Sequence, residues 1–287
     1  MNLFRSALIA ATFLSPSAFA DGFSASVGAD YNTGKYGTDV RTDVIYIPLT
    51  ASYATGRMTY KLIVPWVSVT GNGTVTPSGF GGSGEGSSGG VGLTCVADKQ
   101  GRKNVTDDCS NNNLGSSTNS TTSTTQRTTE SGLGDIVAVA TMNLIDNEDW
   151  VADVTGKVKF PTASESRGLG SGKADYALQA NVDKYFGAPY VSMGLGYRWL
   201  GEPTGVNLDN VVYGSIGGGY KLSDQVSAGV SYDWSTASSD GAPDPQEVSI
   251  YGSYKINDSY KLSGSLYAGL SNASPDVGGG LTLNYNF

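Results

Sequence analysis

The sequence predicts an all-β chain: a transmembrane, antiparallel, up-and-down β-barrel of about twelve strands, with short periplasmic turns and long extracellular loops. Three observations predict it. Apolar and polar residues alternate in about twelve segments from Gly22 to Phe287, the breaks between segments are alternately short and long, and a secretory leader precedes them. Period-two alternation marks a strand with one apolar face, and ~10 residues is the length of a tilted strand that crosses a bilayer.

The leader begins Met1-Asn2-Leu3-Phe4-Arg5, continues as an apolar run from Ala7 to Leu14, and ends in Ala18-Phe19-Ala20. A charged start, a short apolar core and an Ala-x-Ala end describe a signal peptide over 1–20, cut after Ala20. The run is far shorter than the ~20 residues of a membrane-spanning helix. The barrel domain then occupies 21–287, outside the cytoplasm, and the expected location is the outer membrane of a Gram-negative bacterium.

The apolar faces follow in order. Phe23, Ala25, Val27, Ala29 and Tyr31 open the series, followed by Ile45–Tyr53 and Met58–Trp66. After a long interruption come Ile136–Leu144, Trp150–Phe160, Tyr176–Val182 and Val191–Trp199, then a glycine-diluted segment with Val212, Ile216, Tyr220 and Leu222. Val226–Trp234, Val248–Ile256, Tyr260–Leu270 and Val277–Phe287 complete the set. The breaks after even-numbered segments are tight, as in Ala54-Thr55-Gly56-Arg57 and Asn257-Asp258-Ser259, while those after odd-numbered segments are longer, as in Pro161–Ala174. A barrel with one short-turn end and one long-loop end produces this rhythm.

Composition narrows the function classes. Charged residues make up 15% of the chain, below the ~25% usual in soluble domains. No long apolar stretch follows the leader, so membrane-spanning helices are excluded. A net charge of −8 argues against nucleic acid as a partner. With 0 His, hydrolytic mechanisms that need an imidazole base have none, and the commonest metal ligand is missing. No catalytic residue, metal site or cofactor is expected.

The segment 69–131 is low in complexity, with Gly81–Gly86 and a Ser/Thr/Asn-rich stretch at 116–129. It reads as a long extracellular loop with too little apolar surface to order itself; folding inward to narrow the lumen is the alternative. Cys95 and Cys109 lie within it, and in an oxidising compartment they are expected to form a disulfide worth about 3 kcal/mol by the chain-entropy argument.

Opposite the apolar faces lie the residues expected to point into the lumen: Lys61, Asp135, Asp153, Lys157, Lys159, Asp183, Arg198, Asp233, Glu247, Lys255 and Lys261. They either line a water-filled path or pair across a narrow lumen; at twelve strands both are open. Lys157 and Lys159, on one face beneath the Pro161 loop, form either a spot that attracts anions or part of an ion-pair network. Gly168-Leu169-Gly170-Ser171-Gly172 has no βαβ context and reads as a flexible loop rather than a phosphate cradle.

A motif set runs through the middle of the chain: Gly132-Leu133-Gly134-Asp135, Lys157-Val158-Lys159-Phe160-Pro161-Thr162, then Gly168, Gly170, Gly172 and Asp175. In this order the residues resemble the outer-membrane family named for the meta-pathway of phenol degradation. Ala163 stands where that family usually has a glycine. The resemblance implies an outer-membrane transporter for small solutes, with aromatic or other hydrophobic compounds suggested by the name. A non-transporting barrel acting through its extracellular loop is the alternative. The alternation Leu281, Leu283, Tyr285, Phe287 resembles the terminal signal recognised by barrel assembly machinery. Outer-membrane lipid and lipopolysaccharide are the remaining expected partners.

Overall fold

The computed structural model describes residues 22–72, 75–77, 93–95, 127–203, 205–239 and 241–287. The strands in chain order are β1 (Gly22–Gly34), β2 (Thr42–Thr55), β3 (Met58–Gly71), β4 (Val75–Pro77), β5 (Leu93–Cys95), β6 (Thr128–Leu133) and β7 (Ile136–Asp146). They continue as β8 (Trp150–Phe160), β9 (Asp175–Tyr185), β10 (Pro189–Trp199), β11 (Val211–Lys221), β12 (Val226–Ser235), β13 (Gln246–Lys255), β14 (Tyr260–Gly269) and β15 (Val277–Asn286). One 3-10 turn, Glu165–Arg167, lies between β8 and β9.

Each strand pairs antiparallel with its neighbours, β1 pairs with both β2 and β15, and β2 pairs with β3, so the sheet closes on itself. β6 and β7 both lie along β3, Leu133 opposite Trp66 and Val137 opposite Ile63, as two halves of one barrel strand. Counted so, the closed barrel has twelve strands, and each predicted segment lies in one of them. The break between the halves faces Pro65, which has no N–H to offer the ladder. Gly134 N donates to Pro65 O at 2.9 Å instead, and a Cβ at Gly134 would stand 2.7 Å from Val67. Thr162, from the β8–β9 loop, splices the gap: its hydroxyl accepts from Ile136 N at 2.9 Å and donates to Gly134 O at 3.0 Å.

The short turns share a device. Asn147 Oδ1 accepts from Asp149 N and Trp150 N, Asn257 Oδ1 from Ser259 N and Tyr260 N, and Ser223 Oγ from Gln225 N and Val226 N. Side-chain oxygens that capture the amides two and three residues on stabilise tight reversals.

The outer surface carries Phe23, Leu49, Leu62, Leu195, Ile250, Leu266 and Leu281, all exposed. In water this would be an unstable surface; against hydrocarbon it is favourable, whereas a Lys or Arg at midplane would cost ~2–4 kcal/mol. The side chains that alternate with them point inward and are mostly buried.

Four inward tyrosines lie over cross-strand glycines: Tyr190 over Gly219, Tyr213 over Gly196, Tyr251 over Gly229 and Tyr267 over Gly278. A Cβ on Gly219 would stand 2.5 Å from Tyr190 Oη and 2.7 Å from Ala228 O. The glycines thus let each ring lie flat on the wall, and the ring covers backbone that glycine leaves bare. This explains why the β11 segment, with Gly214, Gly217, Gly218 and Gly219, is weak in apolar pattern yet pairs fully on both sides.

Strand pairing takes up both ends of the predicted loop 69–131, since Val69 pairs with Glu130 and Gly71 with Thr128. Within it β4 and β5 form a separate two-stranded pairing, Val75 opposite Cys95. Cys109, and with it the expected disulfide, lies outside the described residues, as does the leader.

Candidate functional site

The centre of the long-loop end is a buried lysine held by two carboxylates. Lys159, on the inward face of β8 and 1% exposed, places Nζ 2.6 Å from Asp175 Oδ2 and 3.2 Å from Asp135 Oδ2. Strand register puts Asp175 directly opposite Lys159, while Asp135 sits at the β6–β7 break one residue before β7. Nζ also lies 3.2 Å from Ser171 Oγ. Both carboxylates spend their second oxygen on backbone: Asp135 Oδ1 accepts from Ala163 N and Asp175 Oδ1 from Gly201 N, each at 2.9 Å. One ammonium therefore joins β8, β9, the β6–β7 break and the connections after β8 and β10.

That network holds the β8–β9 loop inside the barrel mouth. Leu169 is 1% exposed and packs with Ala163 against Val44, Tyr46, Val67 and Val69. Gly170 passes so close to Asp135 that a Cβ would stand 2.8 Å from its Oδ2. Gly168 and Gly172 have φ of 67° each, backbone that favours glycine. Arg167 ties the loop to the wall through Ser131 O at 2.9 Å. Residues 168–172, predicted as a flexible loop, are a packed plug; the glycines serve tight geometry rather than freedom.

A second correction concerns the lumen surface, expected to be polar. Val44 and Tyr46 on β2, Ile63, Val67 and Val69 on β3, and Val137 and Val139 on β7 all point inward and are buried. They form an apolar strip down one wall, with Ala177 of β9 packed against its lower part. Around Val44-Ile45-Tyr46-Ile47 both faces of β2 are apolar, so alternation cannot tell lumen from lipid there.

The other candidate residues lie on the inward register of their strands. Lys61, Asp153, Lys157, Asp183, Asp233 and Glu247 are buried inward, while Arg198, Lys255 and Lys261 are half-buried. Asp153 Oδ1 accepts from Asn181 Nδ2 at 2.8 Å, and Asn181 Oδ1 from Gln179 Nε2 at 2.7 Å. The Arg198 guanidinium stacks 5.3 Å from the centre of the Tyr213 ring. Lys255 turns to the short-turn rim, where it donates to Asp258 Oδ1 at 2.7 Å. The lysine holds the exposed Asp258 carboxyl below the usual carboxylate range. An exposed pair of this kind contributes little, so Asp258→Asn is expected to leave the denaturant midpoint of the folded barrel unchanged.

Lys159 is ion-paired with Asp135 and Asp175. Leu169, Ser171 and the apolar strip are the site residues that sequence reasoning did not single out. Asp175 was visible as a motif residue, but its pairing needs the β8–β9 register.

The comparisons with known proteins match this architecture. The model of the family described as "Putative MetA-pathway of phenol degradation" matches residues 100–287. The chain belongs to this family. The match includes the latch residues Asp135, Lys159, Ser171 and Asp175. An outer membrane channel from Pseudomonas putida F1 superposes with a TM-score of 0.66 at 13% identity, over 96% of this chain and 100% of that one. The transport unit of the autotransporter AIDA-I from Escherichia coli gives 0.53 at 9% identity, over 93% and 90%. The translocator domain of the autotransporter NalP from Neisseria meningitidis gives 0.50 at 10% identity, over 93% and 89%. At these identities the likeness is one of fold. No curated protein matches the chain in sequence.

Proposed function

We propose that this protein is a channel of the Gram-negative outer membrane that passes small hydrophobic compounds, aromatic ones among them. The apolar strip inside the barrel carries this reading. The upper part of the strip, Val44, Val67 and Val69, packs under Leu169 and Ala163, and Ile63, Val137 and Val139 continue the apolar wall beyond the loop; an apolar solute gains from meeting such surface at about 25 cal/mol per Å² buried. Family membership supports it, since the family is described by a pathway of phenol degradation. The burial of the polar wall supports it too: Lys157 is 5% exposed and Asp183 1%, as in a narrow lumen whose side chains meet each other.

Two measurements test the reading. In planar bilayers the refolded protein is expected to give conductance steps far below those of a sixteen-stranded porin; large ohmic steps would defeat a narrow apolar path. Cells that produce the protein are expected to take up a labelled aromatic hydrocarbon several times faster than cells that do not. A Val137→Thr, Val139→Thr variant, which keeps the shape of the wall beyond the loop and makes it polar, is expected to lose most of that gain. Equal uptake with and without the protein would overturn the assignment.

A further inference from the structure

On the wall across from Lys157 and Lys159, three carboxylates point inward: Asp30 of β1, Asp233 of β12 and Glu247 of β13, each 5% exposed or less. Asp233 and Glu247 are direct cross-strand partners, a placement that disfavours two like charges. Asp30 joins them through Tyr267, whose hydroxyl donates to Asp30 Oδ1 at 2.9 Å and whose backbone lies opposite Ser249, two residues from Glu247. Among the described residues Glu247 Oε2 is buried without a hydrogen-bond partner. Neither Asp233 nor Glu247 forms an ion pair with a lysine or arginine there; Asp233 accepts only from Ser231 Oγ, at 2.8 Å.

Aromatic rings border this cluster. Tyr46 sits opposite Asp30 in register and belongs to the apolar strip. Tyr36 dips in from the β1–β2 loop, where its hydroxyl donates to Asn32 Oδ1 and its φ of 51° is rare for a bulky residue. Carboxylates near aromatic rings are a chemistry suited to an organic ammonium group. A metal ion is less well matched: no group of three or more acidic, His or Cys side chains among the described residues is arranged to hold one.

We propose that Asp233, Glu247 and Asp30 form a binding site for an organic cation, and that the favoured solute is an ammonium head carrying an apolar body. The proposal rests on the apolar-path reading above, which supplies the place for the body. The head would satisfy the bare Glu247 oxygen and separate the facing carboxylates, while the tail extends toward the apolar wall of Ile63 and Val137.

The test compares three amphiphiles with the same eight-carbon tail: octyltrimethylammonium, octyl glucoside and octyl sulfate. Each is bound below its micelle concentration to the full chain in neutral-lipid nanodiscs, with empty discs subtracted. The ammonium compound is expected to bind at least about tenfold more tightly than the sulfate, equivalent to about 1.4 kcal/mol. In the Asp233→Asn, Glu247→Gln variant that preference is expected to fall to within about twofold. Equal binding of all three to the unaltered protein would overturn the cation site and leave the apolar path standing. A preference that survives the double substitution would also overturn it. Binding of none of the three would instead remove the apolar path, and the cation site with it. The comparison on the unaltered protein decides the question even if the variant fails to fold.

Discussion

Lys159→Met is expected to destabilise the folded barrel by about 3–5 kcal/mol, the usual consequence of leaving buried charge uncompensated. Methionine fills the space of the lysine stem but leaves the Asp135 and Asp175 carboxylates facing each other behind Leu169 with no cation between them. The sign depends on which partners remain. With Asp135→Asn and Asp175→Asn added, the amide oxygens can still accept from Ala163 N and Gly201 N while the charge is gone. This triple variant is expected to recover most of the lost stability, because a buried ion network replaced as a whole is often nearly neutral. Urea unfolding of the three proteins in neutral-lipid vesicles, followed by the loss of gel heat-modifiability, gives the comparison. If Lys159→Met alone unfolds at the wild-type midpoint, the network does not hold the plug.

The second large effect is expected at Gly229. A Cβ there would overlap the Tyr251 ring and also stand 2.6 Å from Gly218 O. Gly229→Ala is expected to cost about 1–3 kcal/mol through overpacking, because the ring can move only by giving up its contact with Tyr190 Oη at 3.1 Å. Adding Tyr251→Ala removes the ring but not the clash with backbone. The double variant is therefore expected to be less destabilised than the two single effects added together, with the remainder reporting the backbone clash. Strictly additive effects in this double-mutant cycle would show that the ring does not depend on the glycine.

These two sites mark how much the sequence made legible. All twelve strands were readable because the lipid-facing residues repeat at every second position for the length of each strand, and because Asn147, Ser223 and Asn257 announce tight turns. Lumen orientation was readable wherever a charge marked one face, as at Asp153, Lys157 and Asp183. It was not readable at Val44–Ile47, where neither face is polar. The plug was not legible for another reason. Gly168, Gly170 and Gly172 look like freedom in a string of letters, and only the approach of Asp135 and Ala163 from two other segments turns them into constraint. The Lys159 latch depends likewise on a register between β8 and β9 and on a strand break at Pro65, neither of which is encoded at Lys159 itself.

The seam between β1 and β15 has a consequence in time. Each hairpin with a short connection can form as soon as its two strands exist, since short loops close quickly. The β1–β15 ladder, from Ser24 opposite Asn286 to Thr33 opposite Val277, joins the first strand to the last. Such a contact has the longest sequence separation available, and loop closure must precede any reward from it. Until that ladder zips, β1 and β15 both present unpaired amides and carbonyls along a full edge, an arrangement that hydrocarbon does not tolerate. Insertion and closure are therefore coupled into one late, slow step, and a substitution along Val27–Asn32 or Gly278–Leu283 should slow folding more than an equally buried one in the β12–β13 hairpin.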